Sequence, residues 1–294
     1  MVTARGGTYG GIYRASRDAL RRAGVSSAEL EARLFAQSAS GKTREEYIRD
    51  GGLPAPEGCA RALRALTARR LRGEPAAYIL GEWEFYSLPV FVSRETLIPR
   101  TDTETLAARA TALLSARAAA GASDMRVLDL CAGTGCVGLA VAAGAVGARV
   151  TLADKYAGAV ELCRKNAERN ALSGRVEAVM ADALSPPGEG LGAFDTIVCN
   201  PPYIPSGDIG SLELSVRGFE PRRALDGGRD GLDFFRAVAR HWRGAVRRGG
   251  HLLFECGAGQ APAVRGILRE NGFADVSAAG GAGGGAARRG PGAP

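Results

Sequence analysis

Five short apolar segments, separated by stretches of helical character, constrain the fold of this 294-residue chain more than any other feature. Each segment is almost continuously apolar, which is typical of strands that are covered on both faces of a parallel sheet. The segments are RVLDLCA (126–132), ARVTLAD (148–154), VEAVMAD (176–182), FDTIVCN (194–200) and HLLFEC (251–256). The sequence therefore predicts an α/β domain over residues 99–275. In such domains ligands bind at the carboxyl ends of the strands.

The chain on either side of this domain differs in character. Residues 1–75 carry helical periodicity and a basic face, which predicts a small helical domain whose arginines suit either a solvated surface or a partner. Residues 76–98 are rich in aromatic and β-branched residues broken by turn residues, which predicts a β-hairpin linker. Residues 276–294 are mostly glycine and alanine, so we expect a flexible tail.

The composition narrows the class of protein. The formal net charge is +7, which permits a nucleic-acid, ribosomal or acidic protein partner but also fits a bland arginine-rich composition. No run reaches the roughly 18 apolar residues of a membrane span, and no hydrophobic signal segment opens the chain, so we expect no membrane association. The six cysteines form no C-x-x-C pair and only two histidines accompany them. We therefore expect no metal site and reduced cysteines, as in a cytoplasmic protein.

The turn after the first predicted strand is glycine-rich. Gly133 and Gly135 permit positive φ and close approach of a ligand, but their spacing is not that of a dinucleotide-binding loop. Asp154 ends the second strand, where a carboxylate accepts both hydroxyls of a ribose. Asp182 closes the third strand, where it suits either an adenine amino group or a turn cap. Together these residues favour a nucleoside ligand without phosphates, such as S-adenosylmethionine.

The fourth predicted strand runs directly into Asn200-Pro201-Pro202-Tyr203. Neither proline has an N–H to donate to a sheet, and Pro201 forces Asn200 towards an extended conformation. The resulting carbonyls, together with the Asn200 side-chain carbonyl, form rigid hydrogen-bond acceptors beside the flat ring of Tyr203. This arrangement suits a planar –NH₂ group, either in a carboxamide or on adenine. A structural proline turn is the simpler alternative.

The segment CNPPY (199–203) resembles the motif of methyltransferases that act on sp² nitrogens. Three longer segments resemble the HemK-like release factor glutamine methyltransferases: EPAAYILGEWEFYSLPVFVSRETLIPRTDTETL (74–106), FEPRRALDGGRDGLDFFRAV (219–238) and GGHLLFECGAGQ (249–260). The likeness implies a Rossmann-like class I S-adenosylmethionine-dependent methyltransferase domain. It also implies methylation of the side-chain amide nitrogen of the glutamine in the Gly-Gly-Gln loop of peptide chain release factors.

The resemblance assigns site residues by position. Those implied to bind the cofactor are Cys131, Ala132, Gly133, Thr134, Gly135, Asp154, Asp182, Ala183 and Asn200. Those implied to be catalytic, as a clamp on the substrate amide, are Asn200, Pro201, Pro202 and Tyr203.

The chain departs from the family's pattern in several places. Cys131 replaces a common glycine, Thr101 replaces a proline, and Ala183 replaces a larger side chain. The C-terminus lacks the Asp and Arg signature of the family's closing strands, which leaves open whether the sheet edge is complete.

Three functions remain compatible with the sequence. The segments LIPRTDTE and ALDGG favour methylation of release factors by a monomeric cytoplasmic enzyme that does not bind nucleic acid directly. The same chemistry on a ribosomal-protein glutamine or on adenine is the second function. The third, a binding module without catalysis, is disfavoured by the intact Asp154 and NPPY segment. No histidine or glutamate stands out from the sequence as a proton acceptor.

Overall fold

The computed structural model describes residues 7–279 and 284–289. The described residues form two compact units. The first runs through Gly81 and includes Leu214–Phe219, and the second comprises Glu82–Glu213 and the chain from Glu220 onward.

The first unit is helical, as predicted. Its N-terminal helices are α1 (Tyr9–Arg22), α2 (Ala28–Ser40), α3 (Arg44–Arg49), α4 (Glu57–Leu71) and α5 (Ala76–Leu80). The fully buried side chains of Leu20, Phe35 and Leu63 form the contact among α1, α2 and α4. Burying large aliphatic and aromatic side chains stabilises the unit by about 1.5–3 kcal/mol each.

The predicted hairpin is shorter than the sequence indicated. It consists of β1 (Glu82–Phe85) and β2 (Leu88–Phe91), which pair antiparallel around Tyr86 and Ser87. Both turn residues have positive φ, as a tight two-residue hairpin turn requires.

The residues before the hairpin, predicted to belong to it, instead form α5. Pro75 precedes the first turn of this helix, and Gly81 ends it in the left-handed conformation at φ 77°. Local capping therefore outweighs the β-propensity of Tyr78 and Ile79.

The second unit is an α/β domain. After the hairpin its elements, with α9 of the first unit inserted, are α6 (Glu104–Ala119), β3 (Met125–Leu130), α7 (Cys136–Gly144), β4 (Ala148–Asp154), α8 (Ala157–Arg169), β5 (Val176–Met180), β6 (Phe194–Cys199), α9 (Leu214–Arg217), α10 (Asp233–His241), β7 (Val246–Glu255), α11 (Ala261–Glu270), β8 (Phe273–Ala279) and β9 (Gly284–Arg289). The five apolar segments are confirmed as β3 to β7. Their sheet has the order β5-β4-β3-β6-β7-β9-β8.

The sheet is buried on both faces, which explains why its strands are continuously apolar. All six residues of β6 are buried. Leu128 and Leu130 of β3 belong to the core cluster formed with α10 and α11. Asp129 lies between them in the strand and contacts α7 on the other face. None of the helices in the described part of the chain is long and apolar enough to cross a membrane.

The sequence left open whether the sheet edge is complete, and in the structure β9 and β8 extend the sheet beyond β7. β9 pairs antiparallel with β7 on one side and with β8 on the other. The prediction of a flexible tail is therefore wrong for residues 276–279 and 284–289, and residues 280–283 and 290–294 lie outside the described residues. Composition indicates how much side-chain surface a segment buries, but it does not reveal the open edge of β7. A strand of small residues satisfies the backbone groups of that edge as well as any other strand.

Two neighbouring residues of β9 test this correction. Ala287 is 1% exposed and belongs to the core cluster, whereas Arg288 is exposed. We expect Ala287→Asp to lower the free energy of unfolding by at least about 3 kcal/mol, because an unpaired carboxylate enters an apolar core. Arg288→Asp puts the same residue on the same strand and should cost less than about 1 kcal/mol. Denaturant unfolding measures both, and equal effects would show that β9 does not pack on the core.

Candidate functional site

The predicted site residues gather at the carboxyl ends of neighbouring strands. β3 pairs in parallel with β4 on one side and with β6 on the other. The loops that follow these strands therefore meet at one edge of the sheet, where the chain reverses its winding direction. This is where ligands bind in open parallel sheets.

The loop 131–135 between β3 and α7 has an unusual backbone. Cys131, Gly133 and Gly135 all have positive φ, and for Cys131 this conformation is strained. A Cβ at Gly135 would lie 2.7 Å from Leu152 Cδ1, so the protein interior requires glycine there. A Cβ at Gly133 would meet nothing closer than Thr96 Cβ at 3.9 Å. The backbone at Gly133 is therefore open to a ligand.

Asp154 at the end of β4 fastens this loop. Its Oδ2 accepts a hydrogen bond from the Gly133 N–H at 2.9 Å, and its Oδ1 accepts one from the Tyr156 N–H at 3.0 Å. Burial raises the pKa of Asp154, and these two hydrogen bonds oppose the rise. Each carboxylate oxygen accepts more than one hydrogen bond, so both retain capacity for ligand hydroxyls.

Asp182 lies beside Asp154, because the Ala181 N–H donates to the Asp154 carbonyl at 3.0 Å. The Asp182 carboxylate accepts from the Leu184 N–H at 3.0 Å and pairs with Lys155 Nζ at 2.9 Å. Burial raises its pKa, but Lys155 and the Leu184 N–H together bring the pKa below the ordinary value. Asp182 therefore does cap a turn, and its contact with adenine stays a prediction.

These groups fit S-adenosylmethionine. The open backbone at Gly133 admits a close ligand, and Asp154 and Asp182 place two carboxylates at adjacent strand ends. Carboxylates accept from ribose hydroxyls and from an amino group, which the nucleoside part of this cofactor provides. Ala183 is 3% exposed and belongs to the core cluster, and its contact with adenine stays a prediction.

Two buried polar residues that the sequence did not assign to the site support the loop. Asn166 of α8 donates from Nδ2 to the carbonyls of Thr134 at 2.9 Å and Phe91 at 3.0 Å. Its Oδ1 accepts from the Phe91 N–H at 2.6 Å, so one side chain joins the hairpin to the loop. Asp129 Oδ2 accepts from the Gly138 N–H at 2.8 Å, and burial raises the pKa of Asp129 to about 7.

The NPPY segment leaves β6 in the way that its prolines predict. Pro201 and Pro202 are buried, and no donor among the described residues reaches the Pro201 carbonyl. Asn200 Nδ2 donates to Thr103 Oγ1 at 3.3 Å. Tyr203 is half-buried, and burial raises its pKa to about 12, so its phenol stays protonated.

Two distant segments hold NPPY in place, the segment 219–238 through its glycines and the segment 249–260 through Gln260. A Cβ at Gly227 would lie 2.8 Å from the Pro202 carbonyl oxygen, and one at Gly231 would lie 2.3 Å from that of Tyr203. Gln260 Nε2 donates to the Tyr203 carbonyl at 2.9 Å. The segments 219–238 and 249–260 thus form a close backbone wall around NPPY.

Glu255 is a site residue that the sequence reasoning missed. It is the last residue of β7, and the pairing of Cys199 with Phe254 places Asn200 and Glu255 side by side. Glu255 is 6% exposed, and its Oε2 has no hydrogen-bond partner among the described residues. Burial raises its pKa against the opposing influence of the Thr103, Asn200 and Tyr203 side chains. Its position near the end of the apolar segment HLLFEC is the one sequence feature that indicates Glu255, but the sequence does not show that β7 lies next to β6.

Comparison with known proteins identifies relatives over most of the chain. Residues 12–81 match the PrmC N-terminal domain family, and residues 106–211 match the Methyltransferase small domain family. A Geobacter sulfurreducens protein named "Release factor glutamine methyltransferase" is 40% identical over 261 residues, covering 88% of this chain and 88% of that protein. A protein of the same name from Chlorobaculum tepidum is 37% identical over 254 residues, covering 86% of each.

A solved structure supports the fold. The crystal structure of the hMettl16 catalytic domain in complex with a 3′UTR hairpin aligns with a TM-score of 0.54 at 18% identity. The alignment covers 79% of this chain and 81% of that one.

The raised pKa of Asp129 predicts a pH dependence of stability. The unfolded chain has an ordinary aspartate pKa of about 3.9, so between about pH 4 and 7 the folded protein binds one more proton. This contribution to the free energy of unfolding therefore falls as the pH rises through that window. Asp129→Asn keeps an acceptor for the Gly138 N–H but does not titrate. From pH 5 to pH 8 its stability relative to the parent should increase by about 2–3 kcal/mol.

Denaturant unfolding across this pH range measures the difference. Asp124→Asn makes the same chemical change at an exposed residue next to β3 and serves as the control. A difference for Asp129→Asn that is constant with pH would contradict the assignment.

Proposed function

The chain belongs to the release factor glutamine methyltransferase family, and we propose that it methylates the glutamine of the Gly-Gly-Gln loop in peptide chain release factors. The side-chain amide nitrogen of that glutamine gains the methyl group of S-adenosylmethionine as the C–S bond breaks, S-adenosylhomocysteine leaves, and the nitrogen releases one proton to water. The observation that carries this proposal is the placement of NPPY at the end of β6, directly beside the cofactor loop of β3.

The cofactor side of the site is assigned to the β3, β4 and β5 strand ends. S-adenosylmethionine, when bound, supplies an electrophilic methyl carbon. The loop 131–135 would contact it closely through its backbone, Asp154 would accept from the ribose hydroxyls, and Asp182 with Ala183 would border the adenine. Asn200 lies between this region and the substrate.

The substrate side is assigned to NPPY. An amide nitrogen is a poor nucleophile because its lone pair is delocalised. Asn200 Oδ1 accepts one N–H of the target amide, the Pro201 carbonyl accepts the other, and Tyr203 covers the amide plane. As the nitrogen forms its new bond it gains positive character and both N–H groups become stronger donors. The two hydrogen bonds therefore strengthen towards the transition state, which is the condition for raising kcat.

The helical unit is proposed to recognise the protein substrate. It carries a groove of about 750 Å³ lined by Arg14, Leu30, Arg33, Arg44 and Ile48 among others. Leu30 is 42% and Ile48 is 69% exposed, and both line this one groove. Among the described residues, the lining includes three arginines but only one glutamate, so the groove is basic and suits an acidic, partly apolar surface of a release factor.

The enzyme is further proposed to act as a monomer in the cytoplasm, on protein and not on nucleic acid. Its relatives are bacterial, and translation termination takes place in that compartment.

Substitutions of Asp154 and of Asn200 should distinguish an effect on cofactor binding from an effect on turnover. Asp154→Ala should weaken S-adenosylmethionine binding by about 1.5–3 kcal/mol, since it removes charge-assisted hydrogen bonds, and calorimetry measures this loss. Asn200→Ala should affect turnover more than it affects cofactor binding. Its single-turnover methylation of a release factor at saturating cofactor should be about 10²–10³ slower, because one preorganised acceptor is lost.

Matched controls make this result specific. Asn200→Asp keeps an acceptor of similar shape and should retain more activity than Asn200→Ala. A release factor whose Gly-Gly-Gln glutamine is replaced by alanine should acquire no label from labelled cofactor. Label on ribosomal protein or DNA with none on the release factor would refute the substrate. Turnover of Asn200→Ala within a few-fold of the parent would refute the clamp.

The groove of the helical unit gives a separate prediction. The combined change Arg14→Ala, Arg33→Ala and Arg44→Ala should weaken release factor binding about tenfold or more, since three charge pairs of about 0.5–1 kcal/mol are lost. The affinity for S-adenosylmethionine should not change. Arg61→Ala removes an exposed arginine of the same unit outside the groove and is the control. Equal affinities for the release factor would place its docking surface elsewhere.

A further inference from the structure

We propose that Glu255 is a positioning residue that determines which end of the Asn200 amide faces the substrate. The inference rests on the proposed methyl transfer and adds a residue to it. In the sheet, Cys199 of β6 pairs with Phe254 of β7, so Asn200 and Glu255 are the next residues along two hydrogen-bonded strands.

Thr103 lies beside both side chains. Asn200 Nδ2 donates to Thr103 Oγ1 at 3.3 Å, so this hydroxyl acts as an acceptor towards Asn200. Thr103 is 2% exposed, so its own proton needs a partner inside the protein. The side chain of Glu255 lies next to Thr103, Asn200 and Tyr203. In this proposal the Thr103 hydroxyl donates to Glu255. Because a carboxylate only accepts hydrogen bonds, this donation fixes the direction of the hydrogen-bond chain from Asn200 through Thr103 to Glu255.

The direction of this hydrogen-bond chain matters for catalysis. With Nδ2 turned towards Thr103 and Glu255, the Asn200 Oδ1 is the end left for the N–H of a substrate amide. Without Glu255, the Thr103 hydroxyl is free to donate to Oδ1, and the Asn200 amide is free to rotate by half a turn. It then presents N–H donors to a substrate that also presents N–H donors.

The contacts of Glu255 are not those of a carboxylate that stabilises the fold. Its Oε2 has no hydrogen-bond partner among the described residues, although the side chain is more than nine-tenths buried. The nearby Arg100 guanidinium pairs with Glu220 instead. A buried carboxylate with an unpaired oxygen costs stability, so its presence at the end of β7 points to a role in the reaction.

The test is a double-mutant cycle on single-turnover methylation of a release factor at saturating cofactor. Glu255→Ala should slow the parent about 10–100-fold, because it removes the orientation of one transition-state contact. In the Asn200→Ala background the same change should slow turnover less than about threefold, because Glu255 acts through Asn200. Glu255→Gln, which keeps an acceptor, should be faster than Glu255→Ala. Cofactor affinity by calorimetry should be unchanged in Glu255→Ala and Glu255→Gln.

Three further measurements separate this role from a structural one. The midpoint of thermal unfolding should not fall in Glu255→Gln. Thr103→Val should match Glu255→Ala, whereas Thr103→Ser should restore most of the rate. Glu270→Ala, which removes an exposed carboxylate from the end of α11, should have the parent's rate.

The inference is overturned if Glu255→Ala slows turnover equally with and without Asn200, or changes the rate less than a few-fold. Loss of cofactor affinity in Glu255→Ala would overturn it as well. Failure of the proposed function looks different, because the parent itself would then leave the release factor unlabelled.

Discussion

The parallel pairing of β3 with β4 on one side and β6 on the other is the constraint on which this site depends. Parallel strands end at the same edge of a sheet, so residues far apart in sequence meet there without any long connecting loop. The glycine loop, Asp154 and NPPY each follow one of these three strands. Because all six residues of β6 are buried and β3 packs on both faces, the strand ends have little freedom to shift. The fold therefore preorganises the groups before any ligand arrives.

Buried carboxylates recur at this edge, and their partners distinguish them. Burial raises the pKa of Asp129, Asp154 and Glu255 alike. Asp129 accepts a hydrogen bond from a helix N–H, and Asp154 accepts hydrogen bonds from two loop N–H groups. Both carboxylates therefore hold a backbone segment in place. Glu255 has an oxygen without a partner among the described residues and lies beside the amide of Asn200. Because Glu255 lies beside this candidate catalytic amide, we infer that its role is to orient the amide.

The NPPY segment owes its rigidity to more than its prolines. Gly227 and Gly231 let the backbone of the segment 219–238 pass within contact distance of the Pro202 and Tyr203 carbonyls, where a Cβ would not fit. Gln260 then donates to the Tyr203 carbonyl. This packing explains why the segments 219–238 and 249–260 carry recognisable patterns although neither follows β6 directly. Their glycines are needed for shape, and the amide of Gln260 for one hydrogen bond.

The sequence by itself determined the parts of this protein that depend on local pattern. Continuous apolarity identified β3 to β7, the glycines and Asp154 indicated a nucleoside site, and two prolines after β6 indicated rigid acceptors. Tertiary structure decided what depends on which strands are neighbours. It placed Glu255 beside Asn200, set β9 between β7 and β8, and turned residues 76–80 into a capped helix. Periodicity reports whether a residue is buried, but strand order arises from packing across the whole sheet, and a strand of small residues such as β9 gains its place from backbone pairing that composition does not reveal.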